Sequence, residues 1–351
     1  GLLSSSTFLL TAGSLGAPVT SKPGQPVSFP QGVASADPQP SGVMLWTRAV
    51  PGNNADEVIL QLQVSLDSNF AQLVLQETIS TSREHDFTVR AFVRELEPDT
   101  RYYYRFTGGA DSASRTGRTR TAPAPGEARA VNMAFASCQS YEQGYYGSWA
   151  RMLADDKGKG EHEQIDLVLH LGDFIYERSW PHLANGSPVP RPLPPFPDGA
   201  KQLDEEKQDE YSYAVTLADY RHLYKTYLSD PYLQEARARW PFVCTWDDHE
   251  FSNDNFQIYS TYGEEPVSDG KRKIAANRAW FEFIPAVLDE LEGQPAHNFK
   301  RNSAAVTASD EGAVETLCIY RRLNWGKYLD IVLTDSRSYR SPPCLPEGFA
   351  E

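Results

Sequence analysis

The chain has 351 residues, of which 40% are hydrophobic and 12% aromatic, and this is enough apolar material for two folded domains. Its 33 basic and 47 acidic side chains give a net charge of −14. This balance argues against nucleic acid as a partner, because duplex binding depends on clustered Lys and Arg.

Residues 1 to 22 have the composition of the second half of a secretory signal peptide. No charge precedes Lys22, and GLLSSSTFLLTAGSLGAP combines leucines and small residues with Ala17 near its end. The segment is too short and too rich in Ser and Gly to predict a membrane span. We therefore expect an exported protein, and the predicted fold leaves these residues out. A disordered or clipped tail is the alternative interpretation.

Residues 23 to 122 are predicted to form an all-β domain, because short apolar stretches such as EVILQLQVS alternate with turn residues. In LEPDTRYYYRF a turn leads into a strand in which Tyr102, Tyr104 and Phe106 alternate. This pattern is similar to that of a fibronectin type III sandwich. We interpret the tyrosines as packing residues rather than ligand contacts.

The Pro-, Ala- and Gly-rich stretch 123–128 predicts a linker to a second domain over 129–351. Here apolar runs alternate with helix-period segments, which indicates an α/β fold with both sheet faces covered. The predicted strands cover 130–137, 165–171, 241–246 and 328–334, and the predicted helices cover 147–155, 213–238 and 273–291.

Two excursions interrupt this pattern. The Pro-rich and then charged stretch 179–210 is too long for an ordinary connection, and we interpret it either as a lid or substrate wall or as a solvated excursion. Residues 292–313 form a second, polar excursion without a chemical signal.

The four cysteines show no C-x-x-C spacing, so neither a zinc ribbon nor a redox pair is indicated. In an exported protein Cys318 and Cys344 are candidates for a disulfide. Cys244 and His170 lie within apolar runs, FVCTW and LVLHL, and both are interpreted as core residues.

Metal-competent side chains follow four predicted strands. Cys138 follows AFAS, Asp173 follows LVLHLG, Asp247 and Asp248 follow FVCTW, and Asp335 follows IVLT. In an open α/β sheet the site lies outside the carboxyl ends of the strands, so these residues are predicted to converge. Clustered carboxylates repel one another unless cations lie between them, which predicts a metal site.

The donor types favour a mixed metal pair. Carboxylates suit hard cations such as calcium, magnesium and manganese. The thiol of Cys138 and the phenol of Tyr176, in LGDFIYE, favour a more strongly Lewis-acidic iron.

Two of these motifs carry a family resemblance. LGDFIYE looks like the G-D-x-x-Y element of the calcineurin-like and purple acid phosphatase group, and WDDHE stands in the place of its G-N-H-E. The segments FPQGVASADPQPSGVMLWTR, FASCQ, GDFIYE, WDDHE and TDSRSYR stand in the order typical of PhoD-like alkaline phosphatases, from Phe29 to Arg340. The resemblance implies an α/β metallophosphoesterase domain, a layered α/β/β/α-type sandwich, preceded by a fibronectin III-like β-sandwich.

The resemblance also implies roles for matching residues. Cys138 and Tyr176 would bind Fe³⁺, and Asp173 would bridge this ion to Ca²⁺. Asp248 stands where many metallophosphatases have Asn and would bind the second metal, with its extra charge favouring calcium. His249 corresponds to a catalytic histidine beside the scissile phosphate, where it would stabilise charge or protonate the leaving oxygen.

Further residues near the motifs have two interpretations each. Asp247 and Glu250 either orient metal ligands from behind or cap the loop and the following helix. Asn255 either binds a phosphate oxygen or closes a turn. Arg337, as a catalytic residue, and Arg340, as a substrate-binding residue, either hold substrate oxygens or form ion pairs with nearby carboxylates.

The implied function is hydrolysis of phosphate mono- and diesters by a metal-activated hydroxide, for phosphate scavenging by a monomer in the periplasm or outside the cell after Tat export. One alternative is a phospholipase D-like phosphodiesterase with a lipid substrate that enters past residues 181–198. The other is a non-catalytic calcium-binding surface protein, which the thiol and phenol argue against. The family's late histidine ligands have no counterpart after TDSRSYR, so we expect a sequence truncated at its C-terminus.

Overall fold

The computed structural model describes residues 7–13, 26–109, 112–204, 209–262, 265–288 and 310–342. The strands of the N-terminal region are β1 (Thr7–Thr11), β2 (Val27–Ser28), β3 (Val33–Gln39), β4 (Gly42–Arg48), β5 (Val50–Pro51), β6 (Glu57–Ser65), β7 (Leu73–Ser82), β8 (Thr88–Arg94), β9 (Arg101–Thr107) and β10 (Gly117–Arg120). Most of them form two layers, β1-β8-β4-β3 and β10-β9-β6-β7.

Side chains from both layers fill one core. Tyr102, Tyr104 and Phe106 of β9 are at most 2% exposed, as their alternation predicts, and they pack with residues such as Val43 and Val93 of the other layer. The predicted all-β sandwich is therefore confirmed.

Strand β1 corrects the expectation that residues 1 to 22 take no part in the fold. Thr7–Thr11 pairs in parallel with Arg90–Arg94 at the edge of the sheet. Phe8 and Leu10 pack against the sandwich core, and Leu9 packs against a second cluster. The apolar stretch forms a strand because its alternating side chains find cover on both faces of the sheet. The signal-peptide interpretation stays a prediction.

The second region continues the first sheet. Its elements are β11 (Met133–Ala136), α1 (Gly147–Lys157), β12 (Leu167–His170), β13 (Arg178–Ser179), β14 (Ala200–Asp204), β15 (Asp209–Tyr213), α2 (Leu217–Tyr227), α3 (Pro231–Arg239), β16 (Pro241–Cys244), β17 (Tyr259–Ser260), β18 (Val267–Ser268), α4 (Gly270–Phe283), α5 (Asp310–Val314), β19 (Arg321–Trp325) and β20 (Leu329–Leu333). Strand β16 pairs in parallel with β3, giving the strand order β1-β8-β4-β3-β16-β12-β11. The sheet thus crosses the predicted boundary at 123–128, which stays a prediction.

Strands β11, β12 and β16 are mutually parallel, with Ala136 opposite His170 and His170 opposite Cys244. Their carboxyl ends therefore lie side by side at one edge of the sheet. The prediction that a fourth strand joins them is wrong within the described residues, because β20 pairs with β19 in a separate hairpin.

The predicted single helix over 213–238 is wrong, because two helices occupy this stretch. Helix α2 starts after Thr216, which forms a capping box with Asp219, and it ends at Tyr227. Asp230 then accepts hydrogen bonds from two backbone amides of α3, and Pro231 stands at its first position. A capping Asp followed by Pro starts a new helix, since Pro lacks the amide that a continuous helix requires.

The excursions take different forms. Within 179–210, strands β14 and β15 form a three-stranded sheet with β13. The second excursion lies largely outside the described residues. Cys344 also lies outside them, so the disulfide between Cys318 and Cys344 stays a prediction. Within the described ranges, no helix combines the length and apolar character needed to cross a bilayer.

His170 and Cys244 are buried in the core, as predicted. The His170 ring packs against Phe174 at a centroid distance of 4.8 Å, and neither ring nitrogen has a hydrogen-bond partner among the described residues. Burial, assisted by the positive charge of Arg237, lowers the pKa of His170 to about 3.

This buried imidazole predicts acid sensitivity. Between pH 6.5 and about 3 the unfolded chain protonates His170 and the folded chain does not, so stability falls as the pH falls. At pH 5 we expect the free energy of unfolding of wild type to have lost about 2 kcal/mol from this group, a loss absent in His170→Leu. Urea unfolding between pH 7.5 and 5 checks the slope, with the exposed His162→Leu as control. Equal slopes in wild type and His170→Leu would contradict the prediction.

Candidate metal centre

The candidate metal centre lies where the loops after β11, β12 and β16 meet. Cys138 N donates to the Gly172 carbonyl at 3.2 Å, and Gln139 N donates to the Asp173 carbonyl at 3.1 Å. Gly172 has a φ of +108°, and a Cβ there would lie 2.5 Å from the Asp247 amide nitrogen. Glycine permits this close approach, so it brings the β12 and β16 loops together.

Four predicted site residues surround the carboxylate of Asp173. Asp173, Asp248 and His249 offer ligand atoms that all lie within 4.8 Å of one another. Cys138 Sγ lies 3.2 Å and Tyr176 OH lies 3.3 Å from the same oxygen, Oδ2 of Asp173. Three parallel strand ends therefore contribute to one cluster.

The residues around Asp173 fit a bound cation. Its Oδ1 atom is buried and has no hydrogen-bond partner within the described part of the chain. Asp173 and Cys138 have φ values of 53° and 55°, in the left-handed region that non-glycine residues adopt mainly where the surrounding structure holds them there. Carboxylates suit hard cations, and a thiol beside a phenol suits iron.

The carboxylate of Asp173 affects the protonation of both the thiol and the phenol. Partial desolvation and the neighbouring carboxylate of Asp173 raise the pKa of Cys138, whose side chain is exposed. Burial and the charge of Asp173 likewise raise the pKa of Tyr176. A cation beside Asp173 would lower both pKa values, because opposite charge favours the thiolate and phenolate.

Glu250 ties two of the ligand loops together. It is 3% exposed, and its Oε2 atom accepts hydrogen bonds from Asp173 N at 3.1 Å and Asp247 N at 2.8 Å. Its Oε1 atom accepts from Phe174 N at 2.6 Å. Burial and the nearby charge of Asp173 raise the pKa of Glu250 to about 8. The side chain therefore holds the loops of Asp173 and Asp247 together, which supports the first of its two predicted roles.

Arg337 pairs with both adjacent aspartates. Its Nε atom lies 2.6 Å from Asp247 Oδ1, and its Nη2 atom lies 3.2 Å from Asp248 Oδ1. Partial burial alone would raise the pKa of Asp247, but the bond to Arg337 outweighs it and lowers that pKa. In Asp248 burial prevails, and its pKa is raised. The structure thus shows Arg337 in ion pairs with nearby carboxylates, which is the second of its two interpretations.

His249 is held by a carboxylate that the sequence analysis did not single out. Its Nδ1 atom lies 2.6 Å from Oε2 of Glu177, and its ring packs on Tyr176 at 4.1 Å. Burial alone would lower the pKa of His249, but Glu177 raises it to about 9. Burial alone would raise the pKa of Glu177, but His249 lowers it to about 2. The pair is therefore a buried ion pair.

Glu177 is itself fixed from two directions. Its Oε1 atom accepts a hydrogen bond from Asn253 N at 2.8 Å and another from the hydroxyl of Tyr262. Arg272 donates to the Tyr262 oxygen at 2.9 Å. His249 consequently has one preferred orientation, with Nδ1 turned to Glu177 and Nε2 4.0 Å from Asp248 Oδ2.

Comparison with known proteins gives this arrangement a family. Residues 133–348 match the model of the PhoD-like phosphatase, and residues 15–123 match the model of its N-terminal domain. The chain belongs to the PhoD-like phosphatase family.

Two PhoD-like relatives show how far the similarity extends. Alkaline phosphatase D of Bacillus subtilis (strain 168) is 30% identical over 327 residues, which are 91% of this chain and 48% of the relative. A solved structure described as that of PhoD is 30% identical with a TM-score of 0.69, over 93% of this chain and 54% of that one. The chain thus spans about half the length of these relatives. The predicted metallophosphoesterase fold with a preceding β-sandwich is confirmed.

Not every predicted site residue of this PhoD-like chain faces the cluster. Asn255 is fully buried and donates to the Gln257 carbonyl at 3.3 Å, which supports its turn-closing interpretation. The Arg340 side chain is exposed after the hairpin. Asp335 accepts hydrogen bonds from Trp246 Nε1 at 2.9 Å and from Ser338 N at 2.8 Å, and it is not among the described residues whose ligand atoms lie within 4.8 Å of one another. Its strand, β20, lies outside the main sheet.

The residue missed by the sequence analysis, Glu177, is the last letter of LGDFIYE. Its role depends on a partner 72 positions away, so no local pattern indicates it.

Proposed function

We propose that the intact protein is a metal-dependent phosphatase that hydrolyses phosphate mono- and diesters. The observation that carries the proposal is the carboxylate of Asp173, which meets a thiol and a phenol on one oxygen and has a second, buried oxygen without a described partner. Membership of the PhoD-like phosphatase family supports the same reaction.

Cys138, Tyr176 and Asp173 would hold Fe³⁺, and Asp173 with Asp248 would hold Ca²⁺. When bound, the two cations would activate a water and neutralise the charge of the phosphate. A structural calcium site alone does not account for Cys138, because calcium gains little from a thiolate. Export, phosphate scavenging and the monomeric state stay predictions.

The protein's own residues orient the reaction. His249, fixed by Glu177, would present Nε2 to the leaving oxygen and donate a proton there. Glu250 holds the loops of Asp173 and Asp247 next to each other. Arg337 holds the two adjacent aspartates and balances part of their charge.

Metal content and visible absorption test the proposal. The protein expressed from its complete reading frame is expected to contain iron and calcium and to show a coloured band from the Tyr176 phenolate on ferric iron. Tyr176→Phe should shift or abolish the band, whereas Tyr145→Phe, which removes the hydroxyl of an exposed tyrosine, should leave it unchanged. Calcium alone, with no colour, would contradict the iron site and favour an all-calcium or structural centre.

A further inference from the structure

A cleft of about 580 Å³ opens beside the metal centre. Tyr176 and His249 form the part of its wall that adjoins the centre, and residues 180 to 189 contribute a second wall. The cleft lies within the reach of an ester held at Asp173 and Asp248. A phosphate group is much smaller than this volume. A cleft of this size is typical of pockets that bind an organic group.

The second wall is held by the rest of the structure. Glu142 is buried, and its carboxylate accepts hydrogen bonds from Ser179 Oγ at 2.7 Å and Trp180 N at 3.2 Å. The turn that follows is closed by Leu183 N, which donates to Ser187 O at 2.8 Å. The cleft is therefore a pre-formed site, which reduces the entropy lost when a ligand binds.

The lining favours an uncharged, planar group. Trp180 packs against Tyr211 at 4.6 Å between centroids, is partly exposed and lines the cleft. The polar side chains of the lining already have partners: His182 Nδ1 lies 3.1 Å from Asp209 Oδ2, and Arg178 donates to Asn253 and lies 3.8 Å from Glu177 Oε1. An aromatic wall whose polar neighbours are already engaged attracts a ring more strongly than an ion.

We propose that this cleft binds the organic group of the phosphate ester, an uncharged group that carries a planar ring, with Trp180 as the main contact. The inference rests on the proposed phosphatase function, because the metal centre holds the phosphate in this arrangement. The ester oxygen lies on the His249 side of the phosphorus, and the ring extends from there along Trp180.

Two non-hydrolysable phosphonates test the cleft by calorimetry on the protein loaded with iron and calcium. Phenylphosphonate carries the ring, whereas methylphosphonate does not. Wild type is expected to bind phenylphosphonate at least tenfold more tightly than methylphosphonate. Trp180→Ala should weaken phenylphosphonate about tenfold and change methylphosphonate by less than twofold, whereas Trp180→Phe should retain most of the affinity. Tyr232→Ala removes an exposed aromatic side chain of α3 and serves as the control.

A second variant tests the cleft even if Trp180→Ala does not fold. Ala184 is exposed and lines the cleft, so Ala184→Trp fills the space without removing a packed side chain. It should weaken phenylphosphonate and spare methylphosphonate.

The outcomes separate this inference from the proposed function. Equal wild-type affinity for the two phosphonates would overturn the assignment of an uncharged ring. Tighter binding of phosphocholine, whose organic group is a cation, would also overturn it if that binding depends on Trp180. Failure of inorganic phosphate and of both phosphonates to bind would overturn the proposed function itself.

Discussion

Replacing Glu177 by Gln is expected to lower kcat about 100-fold or more while KM and metal content change little. Glutamine keeps the shape of the side chain and an oxygen for Asn253 N and Tyr262, but it turns an amide towards His249. The imidazole then loses the carboxylate that keeps both of its nitrogens protonated, so Nε2–H belongs to a neutral ring, which is a far weaker acid towards the leaving oxygen than the imidazolium.

A structural role alone would not give this pattern. The short Nδ1–H bond to Glu177 should produce a downfield proton resonance in wild type that is absent in Glu177→Gln. The matched control is Glu282→Gln, which also alters a buried ion pair, with Arg221, but lies on α4 away from the cluster. If Glu282→Gln reduces kcat as much as Glu177→Gln, the effect comes from lost stability and the positioning role is wrong.

The cluster around Asp173 was predictable because each of its residue types stands in a recognisable position directly after a predicted strand. Cys138, Asp173 and Asp248 each follow an apolar run within four residues of a strand end. Parallel strands place such residues at one edge of the sheet whatever the details of the loops. The residue types of the cluster can therefore be read from the sequence, whereas the strand order that brings them together is seen only in the structure.

The support of that cluster was harder to predict, because it depends on pairings over long distances. The position of Glu250 leaves two roles open, and its partners, three amides on two different loops, are seen only in the structure. Arg337 reaches back 90 positions to Asp247. Asp335 follows an apolar strand as the cluster residues do, yet β20 pairs outside the main sheet. Local pattern does not distinguish these cases, since only the tertiary contacts decide them.

A buried ion pair joins the two halves of the chain. Asp37 in β3 is fully buried and has a φ of 43°, and its carboxylate accepts from Arg321 Nε at 2.7 Å and Nη2 at 2.9 Å. The same carboxylate accepts from Val287 N at 2.7 Å. Arg321 also donates to the Cys244 carbonyl at 2.8 Å. The pair therefore fixes the β19–β20 hairpin near the carboxyl ends of the parallel strands, where the candidate metal centre lies.

Asp37→Asn is expected to destabilise the fold by about 3–5 kcal/mol, because it leaves the Arg321 charge buried without a counter-charge. Asparagine tolerates the left-handed backbone and keeps an acceptor for Val287 N, while Arg321 loses its counter-charge and meets an amide group in place of one carboxylate oxygen. Urea unfolding measures the loss. Asp330→Asn on the same hairpin is the control, since its pair with Arg322 is solvent-exposed and its removal should change the midpoint far less. Equal midpoints for Asp37→Asn and Asp330→Asn would show that apolar packing, rather than this pair, holds the hairpin against the sheet.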